Sequence, residues 1–110
     1  QREVVVSASD TSLQVYRKVI EAEKALIDAH ILSLIEGRYK PEAPRCEGNY
    51  NSIQDYRKMC ELDLSAVGTL GEHLNLLRAL THGNFNNAFF IDEAGRKCYV
   101  KLVIDSPGAE

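Results

Sequence analysis

The sequence predicts an α+β fold, with about three helices, one of them long, packed on one face of a small antiparallel sheet that ends in a C-terminal β-hairpin. Three observations carry this. An uninterrupted amphipathic pattern runs from Ser12 to Glu36. Two hydroxyl-led starts, Ser52-Ile53-Gln54-Asp55 and Thr69-Leu70-Gly71-Glu72, precede further helical stretches. Two apolar runs between Gly83 and Asp105 are joined by Asp92-Glu93-Ala94-Gly95. An acid opens a type I turn and a glycine closes it in the left-handed conformation, so the last pattern reads as a hairpin.

Glu3–Ser7, with Val4-Val5-Val6 at its centre, reads as a short strand because β-branched residues fit an extended backbone. The cap-forming residues Ser9, Asp10, Thr11 and Ser12 follow. In the long helix Leu13, Tyr16, Ile20, Ile27, Ile31 and Leu34 form one stripe, flanked by Val15, Val19, Ala22, Leu26 and Ala29. Gly37 ends it. Its predicted length is about 37 Å, against a radius of gyration of roughly 13 Å for a compact domain of this size. Part of it should therefore project or meet another chain.

Residues 37–50, GRYKPEAPRCEGNY, form an extended loop, because Pro41 and Pro44 oppose helix. A helix should follow Ser52 to about Glu61, with Ile53, Tyr56 and Cys60 on one face. Leu62–Gly68 carries no clear signal. Leu70 to about Thr81 should be helical, with Leu74, Leu77 and Leu80 buried and Gly83 as terminator. In the last strand Cys98, Val100, Leu102 and Ile104 should face the helices. Lys97, Tyr99, Lys101 and Val103 should face outward. The Glu3–Ser7 strand is the candidate third strand. Residues 106–110 form a loose tail, and 1–110 reads as a single domain.

The chain has 110 residues, 45% apolar and 26% charged, with a net charge of −3. That balance suits a soluble globular domain and makes nucleic acid an unlikely partner, since its usual footprint is a basic face. No apolar run reaches the roughly 18 residues a membrane span needs, so no membrane association is expected. Cys46, Cys60 and Cys98 are odd in number and irregular in spacing. They imply no disulfide framework and a cytoplasmic or otherwise intracellular setting.

The chemistry is sparse. No two of His30, His73, His82 and the cysteines lie two to five residues apart, so no metal site is expected, and nothing implies a cofactor. No catalytic constellation emerges. Cys46 beside Arg45 is the one thiol expected to be exposed, with a cation to favour its thiolate. Arg38, Tyr39, Lys40 and Arg45 concentrate positive charge and aromatic surface in the loop, and with His82, Tyr99 and Lys101 they are the candidate ligand-binding residues.

Gly83-Asn84-Phe85-Asn86-Asn87-Ala88-Phe89-Phe90, followed by Tyr99-Val100-Lys101, resembles the first hairpin of kinase-like phosphotransferases of the aminoglycoside and choline kinase type. The resemblance implies that Gly83 and Asn86 belong to a loop over phosphates and that Lys101 reaches them. The loop holds one glycine and the chain ends shortly after Lys101. The resemblance therefore implies a fragment and not a whole enzyme.

The function read from the sequence is a non-catalytic protein-interaction or regulatory module, self-associating through the long helix or the sheet edge. The alternative is a small-ligand domain or small enzyme with a cavity between sheet and long helix and the 37–50 loop as lid.

Overall fold

The computed structural model describes residues 1–105 and Pro107. The expected loose tail lies almost wholly outside the described residues. The element order is α1 (Ser12–Ile35), α2 (Ile53–Cys60), α3 (Leu70–Leu80), β1 (Phe89–Ile91) and β2 (Lys97–Tyr99). This is the expected α+β arrangement of three helices, one long, and a small antiparallel sheet.

Each helix begins where its side chains satisfy free backbone donors. Thr11 is the N-cap of α1, and Gln14 Oε1 accepts from the Thr11 amide at 2.6 Å. The box at α2 is reciprocal: Ser52 Oγ accepts from the Asp55 amide at 3.1 Å, and Asp55 Oδ2 accepts from the Ser52 amide at 2.9 Å. At α3 only half of the expected box forms: Thr69 Oγ1 accepts from the Glu72 amide at 3.1 Å. The Glu72 carboxylate lies instead beside Gly68.

The hairpin pairs Phe89 with Tyr99, Phe90 with Cys98 and Ile91 with Lys97. Its turn follows the predicted chemistry. Gly95 takes φ +80° and donates to the Asp92 carbonyl. Asp92 Oδ1 accepts from the amides of Ala94 and Arg96, both at 2.9 Å. The strands are short, three residues each. The inside-outside alternation nevertheless continues past β2. Cys98, Val100, Leu102 and Ile104 are half-buried, while Lys97, Tyr99, Lys101 and Val103 are exposed.

The predicted strand at Glu3–Ser7 does not form, and the sheet has two strands. The segment runs beside α1, where the Val5 carbonyl accepts from Lys18 Nζ at 3.0 Å. Support for the hairpin comes from elsewhere. Glu61 forms a parallel bridge to Phe89, and the Leu62 amide donates to the Phe89 carbonyl at 2.7 Å. The unassigned 62–68 stretch thus begins by lending one backbone contact to the sheet edge, which a periodicity reading cannot detect.

The core is small. Cys60, Leu80 and Ala88 are buried, with Leu62, Leu76, Leu77, Phe89 and Val100 packed around them. It is built by α2, α3 and the hairpin. Helix α1 packs against α3 and the turn that follows it, and contributes no buried residue. The radius of gyration is 18.7 Å, with extents of 62 × 37 × 25 Å. That is well above the roughly 13 Å of a compact 100-residue domain.

Candidate functional site

Two polar clusters fix the start of α1 to the end of α3. At the first, the Ser12 amide donates to the Thr81 carbonyl at 3.0 Å, and Ser12 Oγ lies 3.0 Å from His82 Nδ1. The His82 ring is held edge-on by Tyr16 at 5.6 Å and lies 5.9 Å from the Phe85 ring. Gly83, at φ +59°, turns the chain here. A Cβ on it would lie 3.2 Å from Leu13 Cδ2, so the backbone approaches α1 closely. Leu13, His82, Gly83, Asn84 and Phe85 line an open groove at this junction.

The second cluster centres on Asp10, which is buried. Its Oδ2 accepts from the Ser7 amide at 2.9 Å and from Lys18 Nζ at 2.5 Å. The Lys18 ammonium first, and the Ser7 amide second, stabilise the carboxylate and lower its pKa from 3.8 to about 2. Arg78 reaches across from α3. Its Nε donates to the Asp10 carbonyl at 2.9 Å and a terminal nitrogen to the Ser7 carbonyl at 2.6 Å, while the other is bound by Asn75 Oδ1 at 2.7 Å. The fork of the guanidinium thus ties the N-terminal segment to α3.

Among the described residues neither cluster assembles a complete catalytic triad. The Ser12–His82 contact joins a hydroxyl to an imidazole, yet among the described residues no carboxylate bonds the other ring nitrogen, so the orienting member of a triad is missing. Among the described residues no three His, Cys, Asp or Glu side chains gather as a metal set. Burial raises the Cys98 thiol, and Asp92 beside it adds to the effect, which disfavours the thiolate.

The candidate residues are not brought together. Tyr39, Lys40 and Arg45 are exposed on a loop that is exposed along its whole length. Arg38 is held by Glu36 at 2.6 Å. Cys46 is exposed and free. Tyr99 packs edge-on against Phe89 at 6.0 Å, whose ring also carries Lys97 Nζ at 4.5 Å. Lys101 is exposed on the outer sheet face. His82 lines a groove that includes neither Tyr99 nor Lys101, nor any residue of the loop. Its Nδ1 is turned to Ser12. The sequence reading missed Asp10, Arg78 and Thr81, because partners 68 to 71 residues away leave no local pattern.

The largest unused feature is apolar surface. On α1 Tyr16, Ile27, Ile31, Leu32, Leu34 and Ile35 are exposed. A second set, Leu64, Val67, Leu70 and Leu74, lies between α2 and the middle of α3, with Val67 fully exposed. Side chains of this kind in such number mark a surface meant to be covered. No helix among the described residues is long and apolar enough to cross a membrane.

Residues 55–106 match the family described as the N-formyltransferase dimerization C-terminal domain. Over 105 residues the chain is 40% identical to dTDP-4-amino-4,6-dideoxyglucose formyltransferases of Mycobacterium bovis and Mycobacterium tuberculosis, covering 96% of this chain and 45% of theirs. A sugar N-formyltransferase from a Shewanella species superposes with a TM-score of 0.90 at 40% identity, over 96% of this chain and 43% of that one. A 4-N formyltransferase from Francisella tularensis superposes with a TM-score of 0.92 at 40% identity and the same coverage. The chain therefore spans less than half the length of these relatives.

These likenesses overturn the reading as a non-catalytic regulatory module and the resemblance to kinase-like phosphotransferases, since the matched proteins are formyltransferases. The hairpin gave a phosphotransferase impression because an apolar strand pair with one loop glycine and one later lysine is a pattern that many sheets share. The expectation of self-association is supported by the dimerization domain. The chain is similar, in sequence and in fold, to one part of sugar N-formyltransferases, and over residues 55–106 to the dimerization C-terminal domain of N-formyltransferases.

Proposed function

We propose that these residues are the subunit-joining part of an enzyme that transfers a formyl group to the amine of a nucleotide-linked amino sugar. The observation that carries the reading is the agreement over 96% of the chain, in sequence and in fold, with proteins named for that reaction. The structure supports the subunit-joining role: this part exposes more large apolar side chains than a lone subunit needs. Within residues 55–106 the set Leu64, Val67, Leu70 and Leu74 belongs to that exposed surface. The chain acts as one domain in the assembly of the enzyme. A nucleotide-linked substrate agrees with the intracellular setting inferred from the free cysteines.

The test uses the full-length protein that contains this chain. Incubated with dTDP-4-amino-4,6-dideoxyglucose and a formyl donor, it should yield the N-formylated sugar nucleotide by mass spectrometry. Light scattering should give the mass of a dimer. A protein that forms no formylated product from any nucleotide-linked amino sugar, or that stays monomeric at every concentration, would refute the reading.

A further inference from the structure

We propose that a second copy of this chain covers the outer stripe of α1, so that the subunit contact extends beyond residues 55–106 into a helix the matched family domain does not include. The proposal rests on the dimerization reading above and assigns its surface. Four observations carry it.

The C-terminal part of α1, from Ile27 to Ile35, is almost detached from its own subunit. Ser33 is its one half-buried residue. Ile27, Ile31, Leu32, Leu34 and Ile35 are 42% to 74% exposed. An isolated helical arm of this apolarity is poorly stable in water without packing along one side.

Tyr16, Ile27, Ile31 and Leu34 fall on one line of the helix at 100° per residue, and all four are exposed. Leu13 and Ile20, on the same line, are half-buried, so the stripe continues an existing apolar seam.

The N-terminal segment selects the occupant. Arg2, Glu3, Val4 and Val5 border a groove with Lys18, Ala22 and Ala25, and Lys18 Nζ binds the Val5 carbonyl. At helical spacing Lys18, Ala22 and Ala25 lie roughly opposite the stripe. The stripe is turned away from this segment, which leaves it open to a second copy.

Charge fits the same occupant. Between Ile27 and Ile35 the one formal charge at pH 7 is Asp28. Two identical surfaces can meet there without the like-charge opposition that a two-fold contact imposes on a charged patch.

The experiment is light scattering across protein concentration on the full-length protein and its Ile31→Glu, Leu34→Glu and Ile31→Ala variants, with circular dichroism at each point. The wild type should be dimeric. The two glutamate variants should be monomeric at about micromolar concentration, since a charge buried without a partner is costly. Ile31→Ala keeps helix propensity and should weaken dimerization by about tenfold or more. If a glutamate variant loses its fold, the alanine variant's dissociation constant decides. A dimeric wild type whose Ile31→Ala and Leu34→Glu variants remain equally dimeric would overturn the α1 interface and leave the dimerization reading intact. A monomeric wild type would overturn both.

Discussion

Thr81 Oγ1 accepts the Leu102 amide at 3.1 Å and donates to the Leu77 carbonyl at 2.7 Å. One buried hydroxyl thereby links the end of α3 to the chain beyond β2, at a position just 4% exposed. Its replacement by valine keeps the shape and strands a buried amide. Thr81→Val should lower stability by about 1–3 kcal/mol, whereas Thr81→Ser, which keeps both bonds, should cost less. Urea unfolding of the two variants checks the order, and a larger loss in Thr81→Ser would show that the methyl matters more than the hydroxyl.

Leu80 is the largest fully buried side chain, 2% exposed, in a core whose other buried apolar members are Cys60 and Ala88. Such a core has little capacity to close a void. Leu80→Ala should cost about 2–5 kcal/mol, a large share of the 5–15 kcal/mol a domain typically has. Thermal unfolding should show it, while Leu32→Ala in the exposed arm should leave the subunit's own core packing intact.

Asp10 makes the stability depend on acid. Its folded pKa lies below its unfolded one, at about 2 against 3.8. Its contribution is fully present above pH 3.8 and is lost as pH falls toward 2. Asp55 and Asp92 are lowered as well, by the Ser52 amide and the Arg96 amide respectively, and act in the same direction. Urea midpoints measured between pH 5 and pH 2 should fall, and Asp10→Asn should flatten part of that slope. An unchanged slope in the variant would mean that the Lys18 contact contributes nothing to it.

Arg78 should be irreplaceable by lysine. Its three contacts, to the Asp10 carbonyl, the Ser7 carbonyl and Asn75, use three nitrogens in one plane. A lysine offers a single ammonium in place of this fork. Arg78→Lys and Arg78→Met should both loosen residues 1–10, at about 1 kcal/mol for each lost bond. Hydrogen exchange at the Asp10 amide, which donates to the Ser7 carbonyl, reports it. Protection retained in both variants would assign the segment's order to the Lys18 contacts instead.

The Gly83 backbone carries a related expectation. Its φ of +59° is costly for a residue with a side chain, and Leu13 leaves a Cβ only 3.2 Å. Gly83→Ala should destabilise by about 1–2 kcal/mol, more than Gly48→Ala in the loop, where nothing lies within 4 Å. Equal midpoints for the two would refute the strain.

Local chemistry fixed much of this molecule. The caps at Thr11, Ser52 and Thr69, the glycine turn after Asp92, and the alternation from Lys97 to Ile104 are short-range effects, and the structure follows each of them. Their range is also their limit. Val4-Val5-Val6 has strand propensity, but the bridge to the hairpin at Phe89 is made by Glu61, and Lys18 holds the Val5 carbonyl beside α1. A strand needs a partner backbone, and propensity cannot say which backbone arrives.

The candidate site shows the same division. The sequence placed Arg38, Tyr39, Lys40 and Arg45 on an open loop and Tyr99 and Lys101 on the outer face, and that is where they lie. Whether they converge with His82 was a tertiary question, and they do not, because the loop departs from the end of α1 while His82 is turned toward Ser12 at its start. The length and apolar stripe of α1 were legible from spacing alone, since periodicity is intrinsic to a helix. That α1 packs at its start against α3 and the turn after it, and leaves Ile27, Ile31 and Leu34 uncovered, was decided by three-dimensional packing, because burial belongs to neighbours brought together from distant parts of the chain.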